Sequence, residues 1–171
     1  LSLHSDASSS ASTSWVTVIR SLKRPNSIGL GQKLAAAIAG LMGTKLSGYS
    51  GASGGVWTRK YPGYSTLDYY GVIRAAVASG NVQDAFLIEH GFHTNPNDCA
   101  FLDSSARRAE LAAAEAKVIA EHYGLTASDP TAGLPTYKIG PVSRGDAERV
   151  VDLAKDMDVA CMGTFEFGPV S

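Results

Sequence analysis

The sequence predicts an α/β chain: a three-layer domain with a mainly parallel or mixed sheet covered by helices, then a partial small α+β module at the C-terminus. Three observations predict it. Short apolar or β-branched runs, such as Trp15 to Arg20 and Ala85 to Ile88, alternate with longer stretches whose apolar residues recur at helical spacing. A polar, Pro- and Gly-containing stretch around Thr126 to Pro135 interrupts that pattern. Beyond it, Thr136-Tyr137-Lys138-Ile139-Gly140-Pro141-Val142-Ser143 returns as Thr164-Phe165-Glu166-Phe167-Gly168-Pro169-Val170-Ser171, a period of 28 residues.

Taken in order, Leu1-Ser2-Leu3-His4 alternates like a strand and runs into a Ser-rich loop, Ser8 to Ser14. Trp15-Val16-Thr17-Val18-Ile19-Arg20 is β-branched and reads as a second strand. A helix over 26–43 follows from Pro25 at its start, the stripe Ile28, Leu30, Leu34, Ile38 and Leu41, and Gly43 as its stop. Residues 44–66 are rich in Gly, Ser, Tyr and Thr without a period, the mark of a functional or mobile loop. A helix is expected over 67–79, ended by Gly80-Asn81, and another over 105–123, Ala- and Glu-rich, with Gly124 behind it. Between them, residues 84–90 supply a buried strand opening into a loop at Gly91, and Thr94-Asn95-Pro96 reads as a turn. The domains expected are 1–124, a linker at 125–135 and a repeat module at 136–171, whose strand-helix unit spans one and a half copies.

Charge narrows the function. Fifteen Lys and Arg stand against 16 Asp and Glu, which speaks against a nucleic-acid surface. No apolar stretch reaches the roughly 18 residues a bilayer span needs, so membrane insertion is not expected. Cys99 and Cys161 fall in different units and are not paired here. The chain opens at Leu1 without Met, in what reads as a strand, and is expected to be a fragment of a longer protein.

Chemistry concentrates in Phe86-Leu87-Ile88-Glu89-His90-Gly91-Phe92-His93-Thr94-Asn95-Pro96, where an apolar run delivers a carboxylate and two imidazoles to a turn. A carboxylate in such a run costs free energy unless a metal, a proton transfer or a cap employs it. The opening strand has the same layout and ends at His4.

Together, Ser2-Leu3-His4-Ser5-Asp6-Ala7 and Ile88-Glu89-His90-Gly91-Phe92-His93-Thr94-Asn95 resemble the zinc-dependent N-acetylmuramoyl-L-alanine amidases, the autolysins and phage endolysins that cut peptidoglycan. The order between them, strand, helix, variable loop and the Asp68-Tyr69-Tyr70-Gly71-Val72-Ile73-Arg74 helix, looks similar too. The resemblance covers residues 1 to about 124. It implies a zinc cofactor, peptidoglycan as substrate, and a secreted, wall-bound or phage-encoded protein. It maps a metal ligand onto His4 and the catalytic Glu onto Glu89, and it puts two further zinc ligands upstream of Ser2. With His4 alone, the chain is expected to be nearly inactive. The 136–171 tail looks like the sporulation-related repeat domains that bind peptidoglycan.

Each assignment competes with a plainer reading. His4 could be a loop histidine and Glu89 a cap on the following turn. His90 should face away from Glu89, since neighbouring strand residues alternate. His93 could touch substrate or an oxyanion, and Arg74 a substrate carboxylate. Asp68 and Arg74, six apart on the expected helix, face roughly opposite sides and are not an obvious pair. Tyr49, Trp57, Tyr61 and Tyr64 could stack on sugars or pin the loop to the body. A non-catalytic wall-binding domain and a zinc peptidase of similar architecture are the competing functions.

Overall fold

The computed structural model describes residues 1–125 and the backbone of two further strands, 136–139 and 164–167. The chain forms two compact units, Leu1–Leu125 and Thr126–Ser171.

In the first unit, β1 (Ser2–Asp6), β2 (Trp15–Arg20), β3 (Lys45–Leu46), β4 (Val56–Trp57) and β5 (Phe86–Phe92) make one mixed sheet in the order β1-β5-β2-β3. β5 runs parallel to β1 and antiparallel to β2. β3 and β4 lie along the other edge of β2, β3 beside Trp15 and Val16, β4 beside Val18 and Ile19. The four helices are α1 (Ile28–Met42), α2 (Gly71–Ala78), α3 (Pro96–Asp103) and α4 (Ser105–Tyr123).

Strand alternation sorts the core into two layers. Val16, Val18, Val56, Phe86 and Ile88 face Leu30, Leu34 and Ile38 of α1 and Leu111 of α4, all buried. On the opposite face, Ile19 and Leu87 pack with Ile73 of α2, flanked by Trp57, Tyr70 and Val77. Each fully buried aliphatic side chain in these layers contributes about 1.5–3 kcal/mol. This is the three-layer α/β architecture expected from the sequence. Gly43 (φ 67°) and Gly124 (φ 64°) close α1 and α4 in the left-handed conformation, where the sequence placed their stops.

Four local expectations need correction. Residues 44–66 are not without structure, because β3 and β4 complete the edge of β2. The helix expected over 67–79 is shorter, Gly71–Ala78, since Asp68 is pulled out of it. Its buried carboxylate accepts from Ser21 Oγ (2.7 Å) and the Leu22 backbone NH (2.7 Å). Pro96 opens α3 instead of continuing a loop: Asn95 Oδ1 accepts from the backbone NH groups of Asn97 (2.9 Å) and Asp98 (3.2 Å), and Pro96 occupies the first turn, where its missing NH costs nothing. Finally, Gly91 does not end β5. His4 pairs with Glu89 but Asp6 pairs with Phe92, so β5 carries one residue more than β1 across this step, a bulge. Gly91 sits at φ 70°, and a Cβ there would lie 2.6 Å from Asp98 Oδ2. The same Asp98 Oδ2 accepts from the Phe92 NH at 2.9 Å, clamping the bulge to α3.

In the second unit, β6 (Thr136–Ile139) and β7 (Thr164–Phe167) pair in parallel, with Thr136 opposite Thr164 and Ile139 opposite Phe167. Each residue therefore faces its own counterpart in the sequence repeat. Between the two copies, Gly145 to Met157 carries a helical stripe of Ala147, Val150, Val151, Leu153 and Ala154, and the helix it predicts lies outside the described residues.

Candidate active site

The register of β1 on β5 sets His4 directly opposite Glu89, and the register of β2 on β5 sets Thr17 opposite Glu89 on the other side. Paired residues on adjacent strands share a face. His4, Glu89 and Thr17 therefore line one face, that of Ile19, Leu87 and α2. His4 is exposed, Glu89 half-buried and Thr17 fully buried. Glu89 stands in the middle of β5, not at its end as the sequence suggested, because the strand continues through the Gly91 bulge.

Among the described residues, Glu89 Oε2 is buried without a hydrogen-bond partner. Burial first, and then the negative charge of Asp6, push the Glu89 carboxyl up from 4.5 to about 7, while His90 pulls the other way. An orphaned oxygen on a carboxyl poised near neutrality suits a group that exchanges protons.

Asp6 enters the site through Tyr49, whose hydroxyl donates to Asp6 Oδ2 at 2.6 Å. Burial and this bond hold the Tyr49 phenol above its ordinary range. Tyr49 stacks on Trp57 (4.5 Å between ring centres) and meets Trp15 edge-on at 5.5 Å. Trp15 in turn meets Phe92 at 5.0 Å. These rings fasten the 44–66 loop over the Glu89 face, so Tyr49 and Trp57 act as pins. Sequence reasoning missed Asp6 as a site residue, although its position two residues after His4 on an alternating strand was a usable signal.

His90 points to the opposite layer, as alternation requires. It is buried, with Nε2 2.6 Å from Glu115 Oε1 of α4 and Nδ1 3.1 Å from the His4 backbone oxygen. Both partners are acceptors, so satisfying both takes a proton on each ring nitrogen or one on Glu115. His90 thus ties β1, β5 and α4 together directly behind the site. A cavity of about 320 Å³ opens on this side, between β1 and α4, lined by Leu3, His90, Leu111 and Glu115 and touching His4 at the sheet edge.

His93 is exposed just past β5, with Nδ1 3.2 Å from Ser5 Oγ and its NH bonded to the Asp6 oxygen. That puts it beside the β1 end of the site. Arg74 Nη1 donates to the backbone oxygens of Asp68 (2.8 Å) and Tyr69 (2.7 Å). Asp68 and Arg74 do meet, through main chain, because Asp68 precedes the helix.

The donors for a metal are incomplete. Among the described residues, no three His, Cys, Asp or Glu side chains group as an ion would need. Catalytic zinc takes three protein ligands; His4 Nε2, the donor the sequence singled out, lies 2.8 Å from Ser2 Oγ.

A family model for N-acetylmuramoyl-L-alanine amidase matches residues 1–121, which include both the His4 and the Glu89 strands. The chain belongs to the N-acetylmuramoyl-L-alanine amidase family. Two solved structures similar to this amidase-family chain are a protein from Neisseria meningitidis assigned as an N-acetylmuramoyl-L-alanine amidase (19% identity, TM-score 0.49, covering 71% of this chain and 56% of that one) and Cwp6 from Clostridium difficile (22% identity, TM-score 0.47, covering 70% and 17%). The chain thus spans little more than half of the first and a sixth of the second. No curated protein sequence matches it.

Proposed function

We propose that this chain carries part of the catalytic site of a peptidoglycan hydrolase that cleaves the amide between N-acetylmuramic acid and L-alanine. The observation that carries the reading is the pairing of His4 with Glu89 on one sheet face, with Glu89 Oε2 buried and unpartnered among the described residues. Family membership supports the bond and the substrate. The protein would act at the cell wall, as an autolysin or as a phage product on its host.

His4 would be one donor to a zinc ion whose remaining ligands lie outside the described residues, upstream of Ser2 by the family resemblance. When bound, zinc polarises the scissile carbonyl and makes a coordinated water more acidic. The chain's own residues do the rest. Glu89 accepts a proton from the attacking water through Oε2. It then returns that proton to the amide nitrogen as the C–N bond breaks, leaving a lactyl carboxylate and a free L-alanine amine. A carboxyl near pH 7 can do both, since neither protonation state is strongly favoured. The Tyr49 hydroxyl, donating to Asp6 Oδ2, holds that second carboxylate in place beside the site. Thr17 and His4, paired to Glu89 on either side, fix its backbone.

The test uses a protein that joins the upstream donors to this chain, supplied with zinc and purified peptidoglycan, with products read by mass spectrometry. New L-alanine amino termini are expected. Glu89→Gln should lower turnover by at least about a thousandfold with zinc content unchanged. Turnover retained in that variant removes Glu89 from the chemistry, and cleavage within the stem peptide would instead identify a peptidase.

A further inference from the structure

Beyond the pinned rings, the loop carries a second set of aromatics that the fold leaves outside. Tyr61 is 42% exposed, Tyr64 60% and Tyr69 36%. Their ring centres stand 6.0 Å (Tyr61 to Tyr64) and 6.1 Å (Tyr61 to Tyr69) apart. The backbone beneath them is well tied: Tyr61 NH bonds the Leu67 oxygen, Tyr64 NH the Tyr61 oxygen and Tyr69 NH the Arg59 oxygen, at 2.8, 3.0 and 2.8 Å. Two cations crown the patch, the Arg59 guanidinium 3.7 Å over the Tyr69 ring and that of Arg74 5.6 Å from Tyr61. Large aromatic faces are held toward solvent here instead of being folded into the second core layer only one residue away, at Tyr70. The patch leads toward the site, since Tyr69 meets Tyr70 at 5.1 Å and Tyr70, like the Trp57 that stacks on Tyr49, packs on the layer of Ile19, Ile73 and Leu87.

The geometry points to a glycan-binding ledge: Tyr61 and Tyr64 stack on pyranose rings of the peptidoglycan sugar strand and so position the muramic acid amide toward Glu89. Flat exposed rings offer their faces to sugar C–H groups, while the phenol hydroxyls and the guanidiniums supply donors for acetamido and ring oxygens. A stem peptide, by contrast, would call for extended backbone pairing, and these three side chains present no free strand edge to it. The inference rests on the amidase reading for its substrate, but its test does not need turnover.

The experiment titrates the 171-residue chain with peptide-free glycan strands and, separately, with free stem peptide, following tyrosine-ring and backbone NMR shifts. Saturable shifts at Tyr61 and Tyr64 with glycan are expected. Tyr64→Ala and Tyr61→Ala should each weaken binding about three- to tenfold, whereas Tyr123→Ala, a partly exposed tyrosine on α4, should not. Unchanged dispersion of the remaining resonances certifies that the variants fold. No binding, binding of stem peptide alone, or full glycan affinity in Tyr61→Ala and Tyr64→Ala overturns the ledge. Glycan binding at these rings, together with no lactyl-amide cleavage by the zinc-supplied protein that carries the upstream donors, upholds the ledge and defeats the amidase reading instead.

Discussion

Glu89 should cost the fold stability, and the cost should depend on pH. Burial raises its carboxyl from 4.5 to about 7 in the folded chain, so the native state prefers the protonated form more than the unfolded chain does. A group with a raised folded value is fully tolerated below its unfolded value, and its penalty grows as pH climbs to the folded one. Stability from this group is therefore intact below about 4.5 and lost between there and about 7. Without screening, that shift corresponds to about 3 kcal/mol, and partial solvent contact reduces it to roughly 1–2 kcal/mol. Glu89→Gln keeps the shape of the neutral acid and cannot ionise. Urea unfolding of the metal-free chain, in the presence of a chelator, should show the variant more stable by roughly 1–2 kcal/mol at pH 8, with the gap closing toward pH 4. A difference that is constant with pH, or a variant less stable at pH 8, would refute the claim that Glu89 is held as an unpartnered buried carboxyl.

Other perturbations test the scaffold. Gly91→Ala must fit a Cβ 2.6 Å from Asp98 Oδ2 at a positive φ, so it should lose about 2 kcal/mol or more in the same unfolding assay. Asp68→Ala strands Ser21 Oγ and the Leu22 NH and should cost about 2–3 kcal/mol, with hydrogen exchange rising first in α2. Glu115→Leu alone leaves His90 buried against an apolar neighbour and should cost about 3–5 kcal/mol, whereas the double variant His90→Leu with Glu115→Leu should recover most of it, as a double-mutant cycle will report. By calorimetry, zinc should bind the 171-residue chain much more weakly than the nanomolar range, and His4→Ala should abolish what binding there is.

Much of this was legible in the sequence for identifiable reasons. α4 was readable to the residue because Ala-rich propensity and a glycine stop agree, and α1 to within two residues at its start and one at its end because its stripe and Gly43 agree. The pairing of His4 with Glu89 was expected only through the family resemblance, for no local rule brings together residues 85 positions apart. Asn95-Pro96 carried the cap-and-proline signature of a helix start, but its reading as a turn prevailed because the helix behind it, Asn97-Asp98-Cys99-Ala100-Phe101-Leu102, lacks an apolar stripe. The bulge at Gly91 and the removal of Asp68 from its helix were invisible for one cause. Both depend on tertiary partners, Asp98 in one case and Ser21 in the other, and local propensity contains neither. Tyr49 was noticed as an aromatic, but its bond to Asp6 required the fold.

Glu89 belongs to a strand with a neighbour zipped to each side, which makes its main chain among the least deformable ground in the domain. The Glu89 carboxyl can pivot at its side chain, but it cannot travel. Whatever adjustment a bulky ligand demands must come from the Gly- and Tyr-rich span that leads from β3 to α2. Differences in substrate choice between relatives should therefore be written in that span, while the Glu89 strand stays unchanged beneath it.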